Sequence, residues 1–470
     1  METLMAQNNS EKFDKNFIFV FLFVLVYWIY LILNTDPVIV YDAIGYKNAG
    51  RLLMEKGWVH YFSVGLNREP LFSFLISCSM FLEKWTNAPF HIFLKIFLLF
   101  FLSLTMAGVY QLVRLMGTSH KIAILAVFYL GISPALINST LWLWSEAATY
   151  PWVIGIVLSS IKIWQGIHEC RKTTEVLFSS VCLAVMFFML TMVKAIAALV
   201  FVIYLWPYVG AGIYYIFKRD LRRLGRVLLA LLMVAGFYFV MIEEYKNLNF
   251  RYNGHYQITF QDSGVLFGNT IRRLLPLNMD RINQALLFTP RLGFCQEFYH
   301  GECIFWGCQF SDGITSKVFQ EMDALGLNDQ EKQAFFMSES LRWIKAHPIQ
   351  EFFMSCLEAS KMFFWETKLF FVNYPAWLHQ LHCTPLIVLG LSFTWALLSI
   401  LGFIFGIRQT WKLRQSSAGV AFLFTTSFIF CFMGVYSLFF IDLRYALPIV
   451  PLFVALAFVW LERLIYRSFS

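Results

Sequence analysis

Charge is scarce in this chain. Only 14% of its 470 residues are Asp, Glu, Lys or Arg, against roughly 25% in an ordinary soluble domain, and that shortage excludes a single soluble globule. Cysteine supplies no framework either: the nine are scattered, and Cys295, Cys303 and Cys308, with His300 among them, follow no standard zinc spacing. If that segment is exported, one disulfide there is expected. No small-residue cleavage site follows the first apolar run, residues 17–33, so the run reads as a retained span. Low-complexity tracts and a convincing internal repeat are missing as well.

What is present is apolar. Hydrophobic residues make up 59% of the chain, 52 of the residues are phenylalanine, and several runs approach the roughly 20 residues that cross a bilayer as helix. The pattern predicts an all-α polytopic membrane protein with about ten spans, at 17–33, 90–113, 122–137, 143–163, 176–192, 195–217, 227–242, 386–407, 418–440 and 447–461. The net charge of +8 does not point to nucleic acid, because the basic residues fall between apolar runs, where they orient the chain.

Those residues occupy alternate connections: Arg114 and Lys121; Lys162, Arg171 and Lys172; Lys218, Arg219, Arg222, Arg223 and Arg226; Arg408, Lys412 and Arg414. The positive-inside rule makes these connections cytoplasmic. A cytoplasmic N-terminus then requires that the short apolar stretch 70–82 lie along the outer interface without crossing, since its length is too small for a span. Both termini become cytoplasmic. The expected organisation is an N-terminus and first span (1–33), an exported catalytic first loop of interfacial helices (34–89), spans two to seven (90–243), a small exported mixed or helical region (244–384) and the last three spans (385–470). The start of 244–384 reads as strand-like or irregular. Residues 329–365 read as two helices meeting at His347-Pro348, the second resting on the membrane through Phe352, Phe353, Phe363, Phe364 and Trp365.

Ionisable residues at the outward ends of spans are the candidates for chemistry. The first loop offers Asp36, Asp42, Lys47, Arg51, Arg68 and Glu69; the short outer connections add Glu146, Lys194, Asp442 and Arg444. Asp42 opens a helical stretch closed by Gly57, so its carboxylate either caps that helix or acts in a site, and the two roles are compatible. Tyr46 lies one turn on, suited to a ligand or to the interface. Arg68-Glu69 precede Pro70, a good first helical residue; their bland role is a surface ion pair. Lys194 and Arg444 either snorkel to lipid phosphates or bind a ligand, and Glu146 is positioned to pair with Lys194.

Several motifs, in order along the chain, carry a resemblance. Asp42-x-x-x-Tyr46, then Gly57, then Arg68-Glu69-Pro70-Leu71; Ser133-Pro134 followed by Ser145-Glu146; Lys194; Ile344 to Pro348; and Asp442-Leu443-Arg444-Tyr445-Ala446-Leu447-Pro448 together resemble the polyprenyl-phosphate-sugar glycosyltransferases of the GT-C fold. The similarity is to the protein O-mannosyltransferase and aminoarabinose-transferase branch. This chain departs from it in Ala43 after Asp42, where many members have Asp-Glu, and in Glu69 before Pro70, where many have a second proline.

The resemblance implies a GT-C-like bundle in a bacterial inner membrane with a periplasmic site, and transfer of a sugar from a polyprenyl-phosphate donor to a lipid, glycan or protein acceptor. Because the leaving group is already a stable anion, one base and a cationic clamp suffice. Asp42 is the expected base with Glu69 second. Arg68, Lys194 and Arg444 are the expected phosphate ligands, with Tyr46, Glu146, Asp442 and Tyr445 beside the substrate. No metal site is assigned; a divalent cation held by Glu69, Glu146 and Asp442 is the open cofactor option. The rivals are a transporter or flippase of an anionic lipid, a polymerase or ligase of lipid-linked glycans, and an inactive relative acting as an assembly partner. Charges at one face and no inverted repeat weigh against transport.

Overall fold

A computed structural model describes residues 15–35, 39, 42–64, 68–141, 143–169, 172–259, 262–274, 308–366, 385–413, 416–439 and 443–468. Every regular element among them is helical. In chain order these are α1 Lys15–Asn34, α2 Asp42–Ser63, α3 Pro70–Thr86, α4 Phe90–Leu115, α5 His120–Ile132, α6 Pro134–Leu141, α7 Tyr150–His168, α8 Thr173–Val193, α9 Ala197–Tyr204, α10 Trp206–Phe217 and α11 Leu221–Asn253. There follow α12 Asp262–Leu274, α13 Cys308–Ala324, α14 Asp329–Ala346, α15 Pro348–Ala359, α16 Pro385–Lys412, α17 Ser417–Phe439 and α18 Val450–Ser468. Short 3-10 helices at Ser145–Ala148, Ser360–Phe363 and Leu443–Ile449 join neighbouring elements.

Among the described residues nine helical segments are long and apolar enough to cross a membrane, and α5 with α6, bent by 41° at Ser133-Pro134, makes a tenth. They coincide with the ten runs read from the sequence, and the chain is a multi-pass membrane protein. The bend has a local cause: proline removes a backbone donor and disfavours helix in the residue before it.

α3 has 17 residues and is not among the spans. Its start is set by Pro70 and its end by Asn87 in the left-handed conformation (φ 58°), whose N–H bonds back to Glu83 O. One face packs on α2, α4 and α8, while Phe74, Phe81 and Trp85 on the other stay exposed. α2 is broken at Gly57, where φ 75° and ψ 179° fit glycine alone, in agreement with the stop read there. α2 and α3 touch closely at Gly50, where a Cβ would lie 2.6 Å from Ile76 Cγ2 and 2.9 Å from Ser73 O.

Two expectations are corrected. The segment after residue 243 does not begin irregularly: α11 continues unbroken to Asn253 and ends at Gly254 (φ 78°), because its last turns bury Tyr245 and Asn249 against α2, with Asn253 Nδ2 donating to Phe62 O at 3.0 Å. Trp365 is no membrane anchor; it is 2% exposed, donates to Ser399 Oγ at 3.1 Å and packs on Tyr129 and Trp395. Phe352 and Phe353 are exposed as expected.

The region after α11 has a small core of its own, Phe267, Met322 and Phe336 from α12, α13 and α14. The capping box of Asn328 and Glu331 starts α14, and α14 and α15 meet at His347-Pro348 as read. Cys295, Cys303 and His300 lie outside the described residues, as does the side chain of Cys308, and with them the expected disulfide.

Candidate functional site

Chain breaks at one end of the bundle bring distant charges together. α8 stops at Val193, Lys194 is extended (φ −145°, ψ 100°), and α9 resumes at Ala197. Between α6 and α7, Leu143 turns through φ 53° while Trp144 N donates to Ser139 O at 3.0 Å. That conformation is costly for a branched residue, and it delivers Glu146 on a buried 3-10 turn opposite Lys194. After α17 the Leu443–Ile449 helix presents Arg444 and Tyr445.

Asp42, in the first turn of α2, lies at the centre. Its Oδ1 is 2.8 Å from Arg68 Nη2 and its Oδ2 is 2.8 Å from Arg444 Nη2. Burial would raise its pKa, but Arg444, Arg68 and then Lys194 outweigh that and hold the carboxyl below its ordinary value. Burial opposes ionisation of Arg68 too, yet Asp42 beside it raises its pKa. Asp42 thus bridges two guanidinium groups from the first turn of α2.

Lys194 Nζ sits 2.8 Å from Glu146 Oε1, with Glu146 1% exposed. Desolvation would neutralise the lysine, but Glu146 and Glu69 overcome it and keep its pKa raised. The Tyr445 ring joins the two cations, 5.1 Å from the Arg444 guanidinium and 5.7 Å from Lys194 Nζ, and its hydroxyl accepts from Arg444 Nη2 at 3.2 Å. Such ring faces stabilise cations electrostatically.

Glu69 plays another part. Its Oε2 accepts from the Tyr46 hydroxyl at 2.8 Å and its Oε1 from Ala195 N at 3.1 Å, so it bolts α2 to the α8–α9 break beside Lys194. Tyr46 is 3% exposed, and burial followed by Glu69 pushes its phenol far above the usual range, which keeps it a donor. Asp442 and Asp36 lie outside the described residues. Among the described residues three cations, Arg68, Lys194 and Arg444, thus stand with three carboxylates, Asp42, Glu69 and Glu146. No group of three or more His, Cys, Asp or Glu side chains among them is arranged to hold a metal.

Three further clusters escaped sequence reading. Lys95, fully buried in α4, donates to Thr35 O at 2.7 Å and to Thr35 Oγ1 at 3.2 Å, fixing the chain as it leaves α1 for the site. A lone lysine inside an apolar run was the available signal. Glu366 accepts from Tyr129 OH, from Ser133 Oγ at 3.0 Å and from Ala135 N at 2.9 Å, at the α5–α6 bend. Arg273 of α12 binds Glu351, Ser355 and Glu358 of α15 and the carbonyl of Ser437 near the end of α17. Glu351 and Glu358, two turns apart on one helix face, were the sign of a shared partner.

No family model matches the chain, and no curated protein matches it. Solved structures do. It is similar to the oligosaccharyltransferase AglB from Archaeoglobus fulgidus in complex with an inhibitory peptide and a dolichol-phosphate, at 12% identity and a TM-score of 0.42 over 96% of this chain and 51% of that one. It is similar to the Archaeoglobus fulgidus oligosaccharyltransferase tethered with an acceptor peptide, at 13% and 0.46 over 97% and 51%. It is also similar to ArnT from Cupriavidus metallidurans bound to undecaprenyl phosphate, at 12% and 0.32 over 95% and 77%. The chain spans about half the length of the oligosaccharyltransferase structures.

Proposed function

We propose that the chain is an integral membrane glycosyltransferase that moves a sugar from a polyprenyl-phosphate donor to an acceptor hydroxyl or amine at the extracytoplasmic surface. The observation that carries this reading is the seat of Arg68, Lys194 and Arg444 around Asp42, set where apolar helices end. Two arginines offer forked donors that match phosphate oxygens, and lysine adds a point charge. The arginine- and lysine-rich connections at the other ends of the spans orient the seat outward, away from the cytoplasm. A bacterial inner membrane with cytoplasmic termini fits that orientation.

In the reaction, the acceptor oxygen or nitrogen attacks the anomeric carbon as the bond from that carbon to the phosphate oxygen breaks. The electron pair stays on the phosphate, whose growing charge Arg68, Arg444 and Lys194 neutralise; the acceptor proton passes to Asp42. The products are the glycosylated acceptor and the polyprenyl phosphate. Displacement in one step inverts the anomeric centre. Glu69 and Tyr46 hold the frame, and Glu146 keeps Lys194 charged and in place.

The test compares wild type with Asp42→Asn in lipid vesicles holding radiolabelled sugars on polyprenyl phosphate and a mixture of acceptors, following transfer and lipid crossing separately. Wild type should transfer sugar, and the folded variant should lose on the order of a hundredfold or more in rate. Lipid crossing without transfer, unaffected by the variant, would replace this reading with transport.

A further inference from the structure

The site has a peculiarity for an anion seat: its two guanidinium groups are paired with a carboxylate of the same chain. Both Asp42 oxygens are engaged at 2.8 Å, one by Arg68 Nη2 and the other by Arg444 Nη2. The carboxylate, about a third exposed, thus presents two oxygens to two guanidinium groups, much as a phosphate would. Lys194 is paired in the same way with Glu146. A carboxylate held by two arginines is a weak base, since accepting a proton would forfeit both pairings.

We infer that Asp42 and the donor phosphate compete for the same two guanidinium groups, so that the arriving phosphate displaces Asp42 and thereby frees the base. The inference rests on the glycosyl-transfer reading above and adds an order of events to it. Without donor, Asp42 closes the seat and is quenched; with donor, the arginines turn to the phosphate and Asp42 faces the acceptor. Acceptor deprotonation is thereby confined to protein that already holds a donor. Arg68 lies against α2 on one side: its Nε is 3.1 Å from where a Cβ on Gly45 would stand, and its guanidinium rests 5.3 Å from the Tyr46 ring.

The experiment measures binding of a polyprenyl monophosphate to the full chain in nanodiscs, for wild type, Asp42→Asn, Asp42→Ser, Glu69→Gln and Glu146→Gln, each checked by thermal melting. Displacement predicts that removing the Asp42 carboxylate tightens binding at least fivefold, although it lowers transfer on the order of a hundredfold or more, and that the two glutamate variants do not tighten it as much. Equal tightening in all would reduce the effect to the general field of nearby charge and overturn the inference. Weaker or unchanged binding in the Asp42 variants would overturn it as well, by making Asp42 an organiser of the arginines or a bystander. If neither Asp42 variant folds, the wild-type chain answers the question: coupling of an amine to Asp42 by a carbodiimide, followed by mass spectrometry, should rise when inorganic phosphate fills the seat, and an unchanged or lower yield would overturn displacement. Wild type that binds no polyprenyl phosphate at all would instead sink the donor reading itself.

Discussion

Asp42 is held by two arginines, and pH tests that arrangement without a mutation. Its carboxyl lies below the ordinary 3.8 in the free protein, so its ion pairs persist above that value and are lost as pH falls through the lowered one. If a donor phosphate takes the arginines, as inferred above, Asp42 loses the charges that lower its value and that value rises. The acid limb of kcat, which reports the donor complex, should therefore fall at a higher pH than that of kcat/KM, which reports the free protein; coincident limbs in a pH–rate profile would argue against partner exchange. At this scale the sequence was informative where charge interrupts apolar sequence at a span end. Asp42, Arg68, Lys194 and Arg444 stood out in that way, and the pairing of Glu146 with Lys194 was foreseen. Tyr46 and Glu69 were read as substrate and catalytic residues, and the structure bonds them to each other. The contact between Glu69 and Ala195 N spans more than a hundred residues of chain, a distance that local pattern does not encode.

Helix ends and breaks followed their chemistry unevenly. Proline announced the α5–α6 bend and the start of α3, and glycine the break in α2, since each acts through its own backbone. The gap between α8 and α9 carries neither residue: in Thr191-Met192-Val193-Lys194-Ala195-Ile196 the one interruption of apolar sequence is Lys194, which marks a span end without fixing a backbone conformation. There Lys194 is extended and Glu69 accepts the Ala195 N–H, a tertiary contact. The pairing of α16 with α18 is set by close backbone approach at Gly402, where a Cβ would lie 2.8 Å from Ala457 N and 2.9 Å from Leu456 C. Backbone cannot swing aside as a side chain does, so Gly402→Ala should push the helices apart at a cost of about 1–3 kcal/mol. Thermal unfolding in detergent measures that loss, and an unchanged midpoint would show that the helices shift freely.

Over the whole molecule, the region after α11 is tied to the bundle through a buried arginine. Arg273 is 3% exposed and Glu358 is fully buried; burial weighs against the charge, but Glu358 and then Glu351 more than offset it and raise the Arg273 pKa. Removing one partner from such a cluster strands the others, at roughly 3–5 kcal/mol. Arg273→Met should therefore destabilise strongly. Since Arg273 also binds the Ser437 carbonyl, seven residues before Arg444, the same change should lower transfer through Arg444; a melt combined with the vesicle assay reads both, and normal activity would separate the region after α11 from the seat. The spans were legible because hydropathy alone defines them, whereas this clamp joins segments far apart in the chain.

One element also gives the molecule a mechanical property. At 33 residues and about 1.5 Å per residue, α11 is about 50 Å long, well beyond the roughly 30 Å of bilayer hydrocarbon. It is tied at one end, where Arg226 Nη1 donates to Gly166 O of α7 at 3.0 Å, and pressed against Phe62 of α2 at the other, through Tyr245 and Tyr252. With no proline between, α11 runs as one continuous helix. Because α2 is broken at Gly57, between Phe62 and Asp42, α11 braces only the part of α2 that follows the break, and the first turn that carries Asp42 stands across that joint from the rod.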